Sequence, residues 1–419
     1  MVDSAAGAVR QPVAGVVQSA IWAVMKVAIV AEFYPRAGDP VLGVWAHRQA
    51  LAARDAGADV RVLVLHRPVP PRAAARAGPR AAFSAARRAL GQPRHALLDG
   101  IEVTYVPYLS PPRPSSYEDW GRWAAPSLGV ALRTLRRRFA FDLVHAHNAV
   151  PAGDAVRRCG LRAPLVVSVH GSDVFHTAAR SNRGARTVRV TFEHARLVLA
   201  NSAGTELRCR ALGAGGLRTR VVRLGTDLPR ARAESYPQPT VVTTGHVIAR
   251  KRHVDVLDAV ALLRDRHPEL RHLVIGDGPE LHALRRRAEQ LGISDRVELT
   301  GQLPPATALE RTRRAALLAM PSIDEAFGVA YVEAMAGWLP AIGTRGEPGP
   351  EEIASAGGGI SLVPARDPKA LAATIDGLLR DERLLREAGD AARATVSRAF
   401  SWARCGAATV AAYEQAHAR

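Results

Sequence analysis

Residues 315–336 restrict the fold of this chain more than any other stretch. Ala315 to Met320 is an unbroken apolar run that Pro321 stops, the pattern of a buried strand. After the loop Ser322 to Phe327, Gly328 opens Val-Ala-Tyr-Val-Glu-Ala-Met-Ala, a helix apolar nearly all round and therefore a buried one. The loop then sits at the C-terminal end of a strand. Glu333 is the only charge in the helix, and unpaired it would lose several kcal/mol of solvation, so a partner is expected. Glu325 falls in the loop, near the N–H groups of the helix's first turn. Two carboxylates and free N–H donors are thus expected to face one crevice, of the kind that takes nucleotides and phosphates outside the strand ends of an α/β sheet.

Taken singly, Glu325 reads as a helix cap and Glu333 as half of a structural ion pair. Together, eight residues apart, with Pro321-Ser322 before, Phe327-Gly328 between and Glu333-Ala334-Met335-Ala336 after, they read as a site. Here the chain resembles the retaining nucleotide-sugar glycosyltransferases of family 4, whose signature is Glu, seven residues, Glu in this context. It departs from the family pattern at Trp338, where glycine is usual.

The chain has 419 residues, 47% of them hydrophobic, enough for two cores. Cys159, Cys209 and Cys405 are too few and too scattered for a zinc site or a disulfide framework, which fits a reducing cytoplasm. The formal net charge of +18 implies anionic partners. Nucleic acid is not expected, because neither a recognisable binding module nor basic-aromatic interleaving is present. Between Arg61 and Arg94 no acidic residue occurs, while arginines recur among Ala and Pro, so this segment is a candidate for peripheral contact with an anionic membrane surface.

Residues 1–24 carry no secretory-signal or membrane-span pattern and read as a disordered extension, with Met25 as the start of the folded chain. Residues 25–228 read as a first α/β domain, its first strand Met25 to Ala31 followed by a loop to Gly43 and a helix to Ala53. Strands ending in His147 and Val169 follow, the latter running into His170-Gly171-Ser172-Asp173, and the last is placed at Val221 to Leu228. The proline-rich residues 229–239 read as a linker. Residues 240–400 restart with a strand and Gly245, then Arg250-Lys251-Arg252, cations suited to a diphosphate. Gly276-Asp277-Gly278-Pro279 ends another strand, and 401–419 contains a final helix.

The resemblance covers roughly Met25 to Ala416 and implies the GT-B architecture: α/β, two Rossmann-like domains with a ligand cleft between them, the last helix packing back on the first domain. It implies transfer of a sugar from a nucleotide-diphosphate-sugar donor to a glycan, lipid-linked or other hydroxyl acceptor, with retention. In it Glu325 and His170 are catalytic. Lys251, Arg250 and the backbone at Phe327, Gly328 and Val329 hold the diphosphate. Glu333, Gly276 and Gly278 border the ribose and base, and Gly43 belongs to the acceptor-side loop. The family's arginine after Gly245 is His246 here. No aspartate pair with metal spacing is visible, so neither a metal nor a cofactor beyond the co-substrate is expected. The expected location is the cytoplasm, at the inner face of the membrane. A nucleotide-sugar epimerase of the same fold, or a non-catalytic nucleotide-binding partner in glycan assembly, are the competing readings.

Overall fold

The computed structural model describes residues 24–69 and 77–418, so most of the N-terminal extension, with Arg72 and Arg76, lies outside the described residues. Two parallel sheets account for the strands. The first contains β1 (Lys26–Ala31), β2 (Asp59–His66), β3 (His95–Leu98), β4 (Ile101–Pro107), β5 (Leu143–His147), β6 (Leu165–Val169), β7 (Leu197–Ala200) and β8 (Thr219–Val221), in the order β3-β4-β2-β1-β5-β6-β7-β8. Only the β3–β4 hairpin is antiparallel. The second contains β9 (Thr240–Thr244), β10 (Arg271–Ile275), β11 (Val297–Leu299), β12 (Leu317–Ala319), β13 (Ala341–Thr344) and β14 (Ile360–Val363), ordered β11-β10-β9-β12-β13-β14.

These are two Rossmann-like bodies, and their strand orders locate the chemistry. The winding direction reverses between β1 and β5 in one sheet and between β9 and β12 in the other, and ligands of such sheets bind outside the strand ends at that reversal. Glu32 follows β1 and His147 ends β5; Gly245 and the Ser322–Phe327 loop follow β9 and β12. Helices cover both faces of each sheet, which explains why the central strands are apolar without alternation: Val27 to Ala31 are all fully buried.

The final helix, Trp402–Ala418, lies on the first domain. A Cβ at Gly406 would overlap the Ala52 carbonyl, Gln49 Nε2 donates to Thr409 Oγ1 at 3.2 Å, and the Tyr413 hydroxyl bonds His145 Nδ1 at 2.7 Å. Several elements differ from the sequence expectation. Residues 222–228 are not strand; β8 ends at Val221 and Thr226 instead bridges Ser401. Gly343 and Thr344, which read as the start of a glycine/proline turn, instead end strand β13, tolerated there because neighbouring strands supply the ladder. Much of the basic segment is ordered, as the end of β2 and the helix Pro79–Leu90. Among the described residues no helix is long and apolar enough to cross a membrane.

Candidate active site

The loop after β12 is held by its backbone. Glu325 N donates to Glu347 Oε2 at 2.9 Å, and Gly349 N donates to the Glu325 carbonyl at 2.9 Å. A Cβ at Gly349 would overlap the Phe327 backbone, so the start of the helix Pro348–Ala356 can seat against the loop only without a side chain there. Gly328 stands at φ 81°, where Cβ strain and the Tyr331 ring both require glycine, and its turn starts the helix Val329–Ala336 with the first N–H groups lacking intrahelical partners. Tyr331 is fully buried and its hydroxyl donates to the Met320 carbonyl, tying helix to strand.

Lys251 and Glu325 meet in this pocket. Lys251 Nζ donates to Glu325 Oε2 at 2.5 Å, with Arg250 Nη1 at 3.8 Å from the same oxygen. Burial pushes the Glu325 carboxyl up, but Lys251 and Arg250 outweigh it and hold the group below its usual range. Gly245, at φ 146°, leaves open space beside Lys251, with its Cβ position 4.0 Å from the Lys251 Cε. Gly276 and Gly278 serve the same local build: a Cβ on either would overlap the backbone of Gly245 or Val247, so they let the two strand-end loops stack. His246 is exposed beside them.

Glu333 does not share these partners. Its charged surroundings are Arg313, Asp227 and Arg48, from outside the Glu325 pocket, so the expected single crevice with both carboxylates is instead two adjoining positions, one in the loop and one in the helix after it. The reason is geometric: eight residues span a loop and more than a turn of helix, and the chain turns at Gly328. Burial raises the Glu333 carboxyl to about 7, Arg313 pulling it down and Asp227 pushing it up. The partner anticipated for a buried glutamate is therefore a guanidinium near the linker.

The first domain faces this pocket closely. A Cβ at Gly171 would lie 2.6 Å from the Ala326 Cβ, which places His170 at the mouth of the cleft. His170 Nε2 and His147 Nδ1 are 2.9 Å apart, and His145 joins Ser168 Oγ at 2.8 Å as well as Tyr413. Burial lowers His170 to about 4, so the imidazole is neutral at pH 7; His170 Nδ1 and His147 Nε2 are buried without partners. Gly43, at φ 66°, caps the helix Val44–Asp55, and a Cβ there would overlap the Phe33 carbonyl; it lets the loop fold back so that Trp45 approaches His170, with ring centroids 6.2 Å apart.

Sequence reasoning did not single out the groups that join the domains. Ser202 Oγ donates to the Ala326 carbonyl at 2.7 Å, Ala203 N donates to Glu352 Oε2 at 2.7 Å, and Arg223 pairs with Glu352 Oε1 at 2.6 Å. Each is an ordinary residue in its own segment, and only the packing of two domains gives it a partner. Glu352 is buried, so Glu352→Ala is expected to lower the melting temperature and raise the donor KM severalfold by loosening closure, with thermal unfolding and steady-state kinetics as the check. At Trp338 the structure explains the departure: φ is +64°, a conformation that favours glycine, and the indole is covered by the Arg393 guanidinium at 4.4 Å. Among the described residues no group of three or more His, Cys, Asp or Glu is placed to hold a metal ion.

Two family descriptions match this chain, Glycosyltransferase Family 4 over residues 42–230 and Glycosyl transferases group 1 over residues 227–395. An exopolysaccharide phosphotransferase of Streptomyces coelicolor is 32% identical over 229 residues, which are 50% of this chain but only 24% of that protein. An MMP alpha-(1->4)-mannosyltransferase of Mycolicibacterium hassiacum is 30% identical over 311 residues, covering 70% of this chain and 75% of that enzyme. The HepE structure from Anabaena, solved with UDP and glucose, superposes with a TM-score of 0.69 at 20% identity, covering 93% of this chain and 99% of that one. Two Rossmann-like bodies, a cation-paired glutamate at the second strand reversal and these matches together assign the chain to the family 4 glycosyltransferases of GT-B architecture.

Proposed function

We propose that this glycosyltransferase moves a hexosyl or related sugar from a nucleotide-diphosphate-sugar to a hydroxyl acceptor, with retention and without a protein-bound metal. The observation that carries this reading is the Lys251–Glu325 pair with Arg250 beside it, at the strand reversal of the second sheet and against the His170 loop of the first. Breaking the sugar–diphosphate bond leaves negative charge on the diphosphate and positive charge on the sugar. Lys251, Arg250 and the N–H groups at Phe327, Gly328 and Val329 lie where the anion departs. Glu325 takes hydrogen bonds from the sugar's hydroxyls and Glu333 from the ribose. The acceptor oxygen bonds to the anomeric carbon on the face the diphosphate leaves, and its proton passes to the diphosphate oxygen. His170, neutral, orients donor and acceptor from the opposite wall, while Gly276 and Gly278 let the loops around the base close up.

A cytoplasmic protein peripherally attached to an anionic membrane fits the surface of the helix Pro79–Leu90. Phe83 and Leu90 are each 73% exposed, seven residues apart on one face, with Arg80 and Arg87 also exposed. The HepE relative's UDP supports a uridine or similar diphosphate as the first probe.

The test is thermal stabilisation by a panel of nucleotides and nucleotide-sugars, with and without Mg²⁺, for wild type and Glu333→Ala. One nucleoside diphosphate is expected to raise the melting temperature without metal, and the variant to lose the shift. An unresponsive wild type, or a variant that responds equally, would reject the assignment of the donor site. Release of nucleoside diphosphate that requires an acceptor separates transfer from epimerisation.

A further inference from the structure

The loops after β1, β2 and β4 carry three arginines that the donor chemistry does not use. Arg67 and Arg113 both lie over the Trp120 ring, their guanidinium carbons 5.1 and 5.7 Å from its centroid. Arg113 also covers Tyr117 at 4.1 Å. Two positive charges are thus brought to one indole, an arrangement that a nearby anion stabilises. The nearest carboxylate, Glu32, is 4.0 Å from Arg113 and already accepts the Tyr117 hydroxyl at 2.7 Å. Among the described residues, Arg67 bonds the Ser110 carbonyl and hydroxyl, at 2.9 and 3.0 Å.

Arg36 lies deeper, donating to the carbonyls of Glu32 and Leu65 at 2.7 and 3.3 Å, and its Nε is buried without a partner. Tyr108 is 4% exposed, and its buried hydroxyl also lacks a partner while facing Glu32, Arg67, Arg36 and Arg113. Of the other acids in this region, Asp39 offsets the charge of Arg36, with its Oδ1 buried and unbonded, and Asp173 accepts the Val150 N–H at 3.1 Å and Asn148 Nδ2 at 3.2 Å. Three arginines share the carboxylates of Glu32 and Asp39, and a buried hydroxyl without a bond stands among them, an excess of cationic donors suited to an anionic ligand.

A row of aromatic rings runs from Arg113 to the cleft. Arg113 stands 5.3 Å from the Phe33 ring, Phe33 and Trp45 are 6.2 Å apart, and Trp45 is the same distance from His170. We propose that Arg67 and Arg113, with the Tyr108 hydroxyl, seat an anionic group of the acceptor, a phosphate or carboxylate, while its hydroxyl reaches His170 along the Phe33–Trp45 wall. This rests on the reading of the cleft as a glycosyl-transfer site and adds the acceptor's charge to it. Planar guanidiniums favour such oxyanions through paired N–H bonds, which lysines could not match.

Calorimetric titration of the full chain with inorganic phosphate, glucuronate and uncharged glucose tests this, for wild type, Arg67→Gln, Arg113→Gln, Arg67→Lys and the control Arg264→Gln. A parallel arm measures sedimentation with phosphatidylcholine vesicles with and without phosphatidylglycerol. Wild type and the control are expected to bind phosphate or glucuronate at least tenfold better than glucose. Both glutamine variants are expected to lose about tenfold, with Arg67→Lys intermediate and unliganded melting temperatures within a few degrees of wild type. Arginine-dependent binding confined to phosphatidylglycerol vesicles would identify the anion as a lipid headgroup; soluble phosphate or glucuronate binding would identify a free acceptor. Equal affinity for glucose and the anions with no vesicle preference, or unchanged binding in both glutamine variants in every arm, would overturn the proposal. The nucleotide-induced, Glu333-dependent melting shift is expected intact in the arginine variants, so failure here is distinguishable from failure of the donor assignment.

Discussion

Lys251→Met is expected to lower kcat by about 10²–10³-fold, the scale seen when one preorganised group that stabilises a leaving anion is removed. The same substitution strands Glu325, which is 6% exposed and bonded to Lys251 Nζ at 2.5 Å, leaving Arg250 at 3.8 Å as its cation. Breaking one side of a buried pair costs on the order of 3–5 kcal/mol, reduced to whatever extent the carboxyl takes up a proton. The depressed carboxyl sets the pH dependence. Glu325 ionises more readily folded than unfolded, so the pair stabilises above the unfolded carboxylate range and this contribution is lost as the pH falls through the folded value. Glu325→Gln is therefore expected to destabilise more at pH 7 than at pH 4. The double variant Lys251→Met/Glu325→Gln is expected to regain part of the lost stability while remaining inactive, because the buried charge has gone but the anion site has not returned. Thermal unfolding and steady-state rates of the three variants measure this; a Lys251→Met enzyme within about threefold of wild-type kcat would sink it.

Glu333 is expected to show stability and binding moving in opposite directions. Burial raises its carboxyl to about 7, with Arg313 the opposing charge. A carboxyl raised on folding contributes stability that is fully present below its unfolded range and is lost as the pH rises through about 7. Glu333→Gln is thus expected to stabilise the fold at pH 8 by roughly 1–2 kcal/mol after allowance for its partial exposure, seen as a higher melting temperature, and to change little at pH 5. On the proposed ribose contact the ionised carboxylate is the stronger acceptor, so wild-type nucleotide affinity is expected to rise from pH 6 to pH 8. In Glu333→Gln that slope is expected to vanish and affinity to drop about 10–100-fold, the worth of hydrogen bonds to a charged group. Melting curves and nucleotide titrations at the two pH values decide it. A glutamine variant that melts lower at pH 8, or keeps the wild-type slope, contradicts this role.

Strand position, the buried helix at Val329 and the glycines that begin or end turns were legible from local pattern alone, because apolar runs, prolines and glycines report on backbone and burial without reference to distant residues. The helix Val329–Ala336 lies one residue beyond Gly328, and β9, β10 and β12 fall inside the runs that marked them. The 341–344 strand and the end of β8 were not legible, since a four-residue strand with glycine and threonine becomes one only when parallel neighbours complete its hydrogen bonds.

By itself the sequence determined that this protein has two α/β halves, that Glu325 and Glu333 flank the start of a buried helix, and that cations follow Gly245. Which groups meet was decided by the tertiary structure. The strand reversals bring Lys251 to Glu325 across 74 residues of chain, and the second domain's Ala326 to the first domain's Ser202 across 124. Glu333 is turned toward Arg313 and away from the Lys251 pocket, and Arg67 and Arg113 are gathered on Trp120. Charge pairing acts over a few ångströms while sequence spacing constrains distance only within a turn or a strand, so partners that are remote in the chain are a property of the fold.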